Sequence, residues 1–306
     1  MSHIGEIISL LVACSWTLSA LFSEVACRRA SESVVNVYRM LFSLLIIGAI
    51  LFLCGQFPLV STAPSNAWHW LLLSGLVGYT FGDFCLYNAY SIMGARYGQL
   101  FMTLAPPFAA LFAWLLLGQR LSLYALIGMF LVLVGICLTI LARRPSSGSR
   151  AALSVSLPIH GVFFAIGAAL GQGFGLVLSK IGIDSFPLSG GYVPLAATFI
   201  RCLAGLIGFV VLLFLRRKQS QFFEPLRTLS GVLLLVALAV FGPVVGVSLS
   251  LRAVQLTDVG IAQSLMATTP ILIMLPSHIF FHTPLNFRSV VGTIISVIGV
   301  TLFFVA

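Results

Sequence analysis

Three ionisable residues of this sequence lie inside long apolar stretches, where their side chains could do chemistry. Asp83 has Tyr79 and Tyr87 four residues to either side, so the three side chains would share one helix face. This face could bind an amine or carry a proton. Alternatively, Asp83 forms a structural ion pair, with Arg39 as the candidate partner. Arg39 and Arg201 could each hold a carboxylate through two parallel hydrogen bonds, or extend to the lipid headgroups.

A second group of candidates contains uncharged residues that recur in both halves of the chain. They are Gln99, Met102 and Pro106 in the first half and Gln263, Met266 and Pro270 in the second. Gln supplies directional hydrogen bonds, Met adapts to varied apolar ligands, and Pro kinks a helix by freeing a backbone carbonyl. We interpret these residues, together with Trp16 and Gln172, as the lining of a central cavity. The alternative is a kinked packing helix with a core Met.

The elements that position these residues are predicted to be membrane-spanning helices. Only 8% of the 306 residues are charged and 60% are hydrophobic, whereas an average soluble domain has about 25% charged residues. Long, continuous apolar segments of about 20 residues favour helices over a β-barrel. Ten such segments cover residues 4–25, 34–54, 67–89, 97–117, 121–142, 158–181, 191–215, 229–252, 258–280 and 285–305. This composition excludes a disordered chain and a nucleic-acid-binding domain.

The two halves of the chain are similar in sequence, which indicates an internal duplication. At a constant separation of 164 residues, Gly, Ala, Gln, Met, Pro and Leu recur in pairs such as Gly78 with Gly242 and Gly82 with Gly246. Each half contains five segments, an odd number, so the second half would enter the membrane from the opposite side. We therefore predict an all-α polytopic membrane protein of ten transmembrane helices in two inverted five-helix repeats. The repeats would be residues 1–142 and 158–306, joined by a basic Pro/Ser/Gly linker at 143–157.

These residues resemble the drug/metabolite transporter superfamily, and specifically its EamA-type family. The resemblance rests on the duplication, on Ala105-Pro106 and Thr269-Pro270, and on the sequence Leu-Gly-Gln-Arg-Leu-Ser at 117–122. That sequence is similar to the family's Gly-Glu-Arg-Leu-Ser step, with Gln119 replacing the acid, and the copy at 282–286 departs further. The resemblance covers the whole chain. It implies a secondary active or facilitative transporter, an exporter of small metabolites such as amino acids, that works by alternating access through the central cavity.

The sequence also bears on cofactors, partners and competing functions. It contains no catalytic, metal-binding or nucleotide-binding motif, so we expect no enzyme activity, cofactor or metal. The expected partners are a small-molecule substrate and the lipid bilayer. Proton coupling is one candidate energy source. We expect a monomer or, alternatively, a dimer. An intramembrane enzyme or lipid-handling protein would require His160, His278 and Asp83 to converge. A non-transporting membrane assembly subunit would require large loops or tails.

The distribution of basic residues predicts the orientation of the chain in a cell membrane. Cytoplasmic loops carry an excess of Lys and Arg. Eleven such residues lie in the connections after odd-numbered segments, and only Arg120, Lys180 and Arg252 lie in the others. The count therefore predicts that both termini of this multi-pass protein lie outside the cytoplasm, whereas the family resemblance implies cytoplasmic termini.

Overall fold

All regular secondary structure in the described part of the chain is helical. The computed structural model describes residues 3–27, 29–89, 92, 101–141, 158–187, 190–269, 272 and 287–303. The principal helices are α1 (Ile4–Cys27), α2 (Glu32–Leu53), α3 (Ser65–Ala89), α4 (Ala105–Leu117), α5 (Leu123–Leu141), α6 (Ile159–Asp184), α7 (Val193–Leu215), α8 (Leu229–Leu256), α9 (Val259–Met266) and α10 (Phe287–Phe303).

Six of these helices, α1, α2, α3, α6, α7 and α8, are long and apolar enough to cross a membrane. Large apolar side chains such as Leu53 and Phe214 are exposed on their outer surfaces, 83% and 62% respectively, as expected of a surface in contact with lipid. The chain is therefore a multi-pass membrane protein whose described residues form helices and no strands. Six of the ten predicted spans are confirmed. A total of ten stays a prediction, because the described parts of α4, α5, α9 and α10 are shorter.

The connections contain short helices that the hydrophobic pattern did not predict. A single turn at Pro58–Ser61 joins α2 to α3, and 3-10 turns at Gln219–Gln221 and Glu224–Arg227 join α7 to α8. Each is too short to appear as an apolar segment. The predicted linker at 143–157 lies outside the described residues.

Two of the spanning helices share an irregularity of the backbone. α3 has a π-helical segment at Leu76–Asp83 and α8 has one at Val240–Val247. In a π-helix each N–H bonds the carbonyl five residues back, which widens the helix, and such segments are frequent at functional sites. Both segments contain two glycines, which are weak helix formers. They lie 164 residues apart, which is also the separation of Gly78 and Gly242.

The helices of one half pack mainly against helices of the other half. α3 packs against α6 as α8 packs against α1, and α6 also contacts α4 as α1 contacts α9. α2 packs against α7, and α5 against α10. Glycines permit close approach of the backbones: a Cβ at Gly175 would lie 2.9 Å from Gly78 Cα. These contacts therefore have counterparts when the two halves are exchanged.

Hydrogen bonds between helix ends define two ends of the bundle. At one, called the Glu6 end, Thr257 Oγ1 donates to Glu6 Oε1 at 3.0 Å and Asn66 Nδ2 donates to Ser185 Oγ at 3.2 Å. At the other, called the Arg216 end, the bonds are Arg216 Nη2 to Asn88 Oδ1 at 2.8 Å, Tyr38 Oη to the Phe222 carbonyl at 3.0 Å and Arg29 Nη1 to Ser230 Oγ at 3.3 Å. The beginning of α1 thus lies with the ends of α6 and α8.

Candidate functional site

Five of the candidate residues meet in a buried cluster between α2, α3, α6 and α7. This Arg–Asp cluster consists of Arg39, Tyr79, Asp83, Gln172 and Arg201. The two arginines, Tyr79 and Asp83 are each at most 9% exposed, and Gln172 is half-buried. Charged groups are rarely buried without a partner. The sequence identified the five residues one by one, and the fold brings them together.

Asp83 is fully engaged within the cluster. Arg39 Nη2 donates a hydrogen bond to Asp83 Oδ2 and forms an ion pair with it. Gln172 Nε2 donates to Asp83 Oδ1 at 2.9 Å and to the Gly78 carbonyl at 3.2 Å. The ion pair proposed from the sequence as the alternative for Asp83 is therefore present. Because Arg39 is buried and paired, it does not extend to the headgroups.

Arg201 lies in the same cluster but has a different environment. Its guanidinium lies 4.9 Å from the centroid of the Tyr79 ring, and that of Arg39 lies 6.0 Å from the same ring. The Nε of Arg201, like that of Arg39, is buried without a hydrogen-bond partner. Within the described ranges, no carboxylate lies within ion-pair distance of Arg201. Two arginines and one aspartate leave this cluster with one net positive charge.

Glycines make room for the polar side chains. A Cβ at Gly78 would lie 3.1 Å from Arg201 Nη2, and one at Gly82 would lie 3.4 Å from Gln172 Nε2. The glycine-containing face of α3 therefore receives two residues of the cluster. Its glycines allow the α6 and α7 side chains to approach the α3 backbone.

Three further candidates lie around α1, α8 and α9. Trp16 is half-buried, and its indole packs against Gly246, where a Cβ would lie 2.6 Å from Trp16 Nε1. Gln263 and Met266 of α9 are 6% and 0% exposed. No hydrogen bond recorded among the described residues joins these three side chains to the Arg–Asp cluster. The structure thus separates the candidates into two groups.

The remaining candidates concern the Pro-containing segments. Pro106 lies in the first turn of α4, which begins at Ala105 after a turn at Thr103 and Leu104. It therefore marks the start of a helix rather than a kink within one, because Pro lacks the N–H that the first turn leaves unpaired in any case. Met102, before this turn, is half-buried. Gln99 and Pro270 lie outside the described residues.

The arrangement required for an intramembrane enzyme is not found in the part of the chain that can be inspected. His160 is exposed at the start of α6, away from the buried Asp83, and His278 lies outside the described residues. No group of three His, Cys, Asp or Glu residues within the described ranges could hold a metal ion.

Comparisons with known proteins now decide the family. A model of the EamA-like transporter family matches residues 3–141 and again residues 159–305. The chain belongs to the EamA-like transporter family. The two matches confirm the predicted family and its two repeats, and they identify a multi-pass membrane transporter.

Two individual proteins are similar to this member of the family over nearly its whole length. An "Uncharacterized transporter" of Archaeoglobus fulgidus is 23% identical over 302 residues, which cover 97% of this chain and 96% of that protein. A solved structure described only as "Crystal structure of protein" has a TM-score of 0.75 and 20% identity, and covers 100% of this chain and 98% of its own. The second likeness concerns the fold alone.

A crevice opens beside the Arg–Asp cluster of this EamA-like protein, at the Arg216 end. Its volume is about 20 Å³, which is room for about one or two water molecules. Its lining consists of Glu32, Ser33, Asn36, Phe84, Tyr87, Asn88, Phe209, Leu212 and Arg216. Among the polar side chains, the sequence singled out only Tyr87. Asn36 could have been found as a polar residue three positions before Arg39 on α2, whereas nothing in the sequence brings Arg216 to Asn88.

Proposed function

We propose that this EamA-like protein carries a small metabolite with a carboxylate group, such as an amino acid, across the cell membrane by alternating access. The observation that carries the proposal is Arg201, a buried guanidinium within a cluster that has one net positive charge. A buried cation without a paired anion is costly. A substrate carboxylate supplies the missing charge and can accept two parallel hydrogen bonds from a guanidinium.

A substrate carboxylate bound to Arg201 would lie near the Arg39–Asp83 ion pair, because both arginines lie close to the Tyr79 ring. Both guanidinium groups approach the same ring, at 4.9 Å for Arg201 and 6.0 Å for Arg39. A substrate held by Arg201 would therefore lie close to Asp83. The ammonium group of an amino acid would then compete with Arg39 for the Asp83 carboxylate.

This competition supplies a two-state element of the kind that alternating access requires. In the state observed, Asp83 binds Arg39 and Gln172, which ties α3 to α2 and α6. A substrate ammonium bound to Asp83 would release α2 from α3. Transport by rocking of one set of helices against another follows from this exchange of partners.

The packing between halves supports two inverted five-helix repeats at 1–142 and 158–306. The counterpart contacts, the equivalent π segments and the grouping of the α1 start with the α6 end are all expected of such a pair. Among the described residues, Arg29, Arg216, Arg217, Lys218 and Arg227 lie at the Arg216 end, so we place this end in the cytoplasm and both termini outside. Export would then begin from the Arg216 end, and a monomer contains the complete Arg–Asp cluster.

Proton coupling at Asp83 is the energy source that the cluster suggests first, because Asp83 is its only carboxylate. Replacing Asp83 with Asn removes the titratable group while retaining an acceptor for Arg39. We expect Asp83→Asn to change the pH dependence of flux in liposomes, with folding checked by size-exclusion chromatography. Flux with the wild-type dependence at every pH would reject the proton role and leave the substrate gradient or counter-exchange.

Flux in proteoliposomes tests the proposed function. The purified protein is reconstituted, and uptake or release is measured for radiolabelled amino acids, carboxylates without an amine and amines without a carboxylate. We expect flux of at least one carboxylate-bearing metabolite, and we expect Arg201→Gln to reduce it at least tenfold through loss of a charged hydrogen bond.

Arg252→Gln is the matched control for this experiment. Arg252 is a half-buried arginine of α8 that donates to Gln255 Oε1 at 2.9 Å, remote in sequence from the cluster residues. It should retain the wild-type flux. Flux of amines alone, or full flux through Arg201→Gln, would contradict a carboxylate site at Arg201.

A further inference from the structure

We propose that a pocket at the Arg216 end binds the headgroup of phosphatidylethanolamine, a phospholipid whose phosphate is joined to a primary ammonium group. This pocket, called the Lys218 pocket, lies between the connection of α1 to α2 and the connection of α7 to α8. It is lined by residues 29–32 of the first connection and by Lys218, Gln221 and Glu224 of the second. The lipid site is separate from the Arg–Asp cluster and does not depend on which metabolite is transported.

The Lys218 pocket lies at the depth of the lipid headgroups. Residues 29–32 lead directly into α2, and Lys218 lies three residues beyond the end of α7. Arg29 Nη1 donates to Ser230 Oγ at 3.3 Å, which brings the start of α8 to the same level. All three helices are long enough to span a membrane, and the polar headgroups occupy the layers directly beyond the hydrocarbon core. The pocket therefore opens where headgroups are concentrated.

The pocket has room for a headgroup. Its volume is about 380 Å³, whereas the crevice beside the Arg–Asp cluster has about 20 Å³. A water molecule takes up about 30 Å³ of the liquid. The Lys218 pocket can therefore hold a phosphate joined to ethanolamine, whereas the crevice cannot.

Two basic side chains provide a position for the phosphate. Arg29 and Lys218 line the pocket from opposite sides, one from each connection. Only one nitrogen of the Arg29 guanidinium donates to Ser230, and the group has five N–H donors in all. Within the described ranges, no carboxylate lies at ion-pair distance from Lys218. A phosphate between the two side chains would form charge-assisted hydrogen bonds with both.

Glu224 provides a position for the ammonium group. It lines the pocket, is exposed, and forms no ion pair with a described basic residue. Glu32, the other acid of the lining, already has a partner and is not needed. A primary ammonium has three N–H donors for the Glu224 carboxylate. The trimethylated nitrogen of phosphatidylcholine has none, and phosphatidylglycerol has no ammonium group.

Apolar side chains beside the pocket favour a lipid over a soluble phosphate compound. Tyr38 Oη of α2 donates to the Phe222 carbonyl at 3.0 Å, and the two ring centroids lie 4.8 Å apart. The connection of α7 to α8 is therefore packed against α2. Phe223, which precedes Glu224, is 67% exposed, and Leu229 at the start of α8 is 75% exposed. Acyl chains can cover these two side chains while the headgroup of the same molecule occupies the pocket.

Native mass spectrometry of the delipidated full-length protein tests the preference for this headgroup. The protein in detergent is mixed with phosphatidylethanolamine, phosphatidylcholine or phosphatidylglycerol of identical acyl chains, and the affinity for the first bound lipid is measured. We expect phosphatidylethanolamine to bind at least threefold more tightly than the other two. Equal affinities, or tighter binding of either other lipid, would overturn the proposal.

Two substitutions test the two charged parts of the headgroup. Lys218→Gln should weaken phosphatidylethanolamine binding about fivefold, because the phosphate loses one cation. Glu224→Gln should abolish the preference for phosphatidylethanolamine over phosphatidylcholine, because the ammonium loses its charged acceptor. Both side chains are exposed, so the variants should fold, and thermal unfolding checks this.

Arg217→Gln is the matched control. It removes an exposed positive charge next to Lys218, from a residue that does not line the pocket. It should retain wild-type affinity and preference. If Arg217→Gln weakened binding as much as Lys218→Gln, the basic surface as a whole would attract the lipid and the pocket would be rejected.

Glycerophosphoethanolamine, which has the headgroup without acyl chains, distinguishes a lipid from a soluble ligand. In a tenfold excess it should leave phosphatidylethanolamine bound, because it lacks the contacts with Phe223 and Leu229. Displacement of the lipid under these conditions would overturn a lipid site and indicate a site for a soluble phosphate compound.

Discussion

The π segments of α3 and α8 have the same backbone but different chemistry. Each segment has two glycines, four residues apart. One glycine contacts an arginine on the second helix of the other half, and the other glycine contacts a residue on the first helix of that half. Gly78 and Gly82 meet Arg201 and Gln172, whereas Gly242 and Gly246 meet Arg39 and Trp16. Equivalent glycines of the two π segments therefore make equivalent contacts in both halves.

The difference lies in the residues between and beyond the glycines. The α3 segment contains Tyr79 and Asp83, and the α8 segment has Pro243 and Val247 at the equivalent positions. At these two positions, only the α3 segment has a carboxylate that can pair with an arginine and an aromatic ring that can lie against a guanidinium. We infer that the duplicated packing is shared by both halves, whereas the proposed ligand-binding groups are concentrated on the α3 side of the bundle. The site is therefore asymmetric within a symmetric framework.

The largest loss of stability and flux should come from replacing Asp83 of α3 with valine, the residue that α8 has at the equivalent position, 247. Asp83→Val leaves both Arg39 and Arg201 buried without a carboxylate, and breaking a buried ion pair in this way costs about 3–5 kcal/mol. We expect a corresponding loss of stability, measured by thermal unfolding in detergent, and loss of flux in liposomes.

The double variant Asp83→Val with Arg39→Met provides the control. It replaces the ion pair with apolar groups, which is often neutral or stabilising in a protein interior. It should regain most of the stability that Asp83→Val loses, but not the flux. If Asp83→Val alone were as stable as the wild type, the Arg39–Asp83 ion pair would not be what holds α2 to α3.

Smaller effects should follow from adding a methyl group to either π segment. At Gly246 a Cβ would lie 2.6 Å from Trp16 Nε1 and 2.7 Å from the Phe241 carbonyl, whereas at Gly82 the nearest atom, the Val77 carbonyl oxygen, would lie 3.3 Å away. We expect Gly246→Ala to lower the free energy of unfolding by about 1–3 kcal/mol and Gly82→Ala to lower it less. Thermal unfolding of the two variants checks this order, and the opposite order would mean that α3 has the tighter packing.

Much of the fold could be predicted from the sequence, because each membrane-spanning helix can be recognised from its own apolar residues. Apolar length alone identifies helices such as α2 and α7, and the recurrence of glycines at a fixed separation identifies the duplication. The π segments could not be predicted, because glycines four residues apart also suit a regular α-helix that packs closely. The start of α4 at Ala105 was also missed, since the apolar pattern continues across the turn before it.

The candidate site was predicted residue by residue but not as an arrangement. A charge in an apolar segment is conspicuous, so Arg39, Asp83 and Arg201 were found. That both arginines approach Tyr79, and that only Arg39 pairs with Asp83, depends on how α2, α3 and α7 pack. The crevice depends on a contact between Asn88 and Arg216, which are far apart in sequence and lie near the ends of their helices.

The central claim is that Arg201 remains available for a substrate because α8 has Val247 where α3 has Asp83. Val247 is 8% exposed, and the adjacent Ser248 donates to Thr198 Oγ1 at 3.1 Å, three residues before Arg201 on α7. An aspartate at 247 would be placed to pair with Arg201 as Asp83 pairs with Arg39. The most direct measurement is the flux of the transported metabolite through Val247→Asp, with Val247→Asn as the uncharged control. The account predicts a folded Val247→Asp protein with at least tenfold lower flux and near wild-type flux through Val247→Asn; wild-type flux through folded Val247→Asp would contradict it.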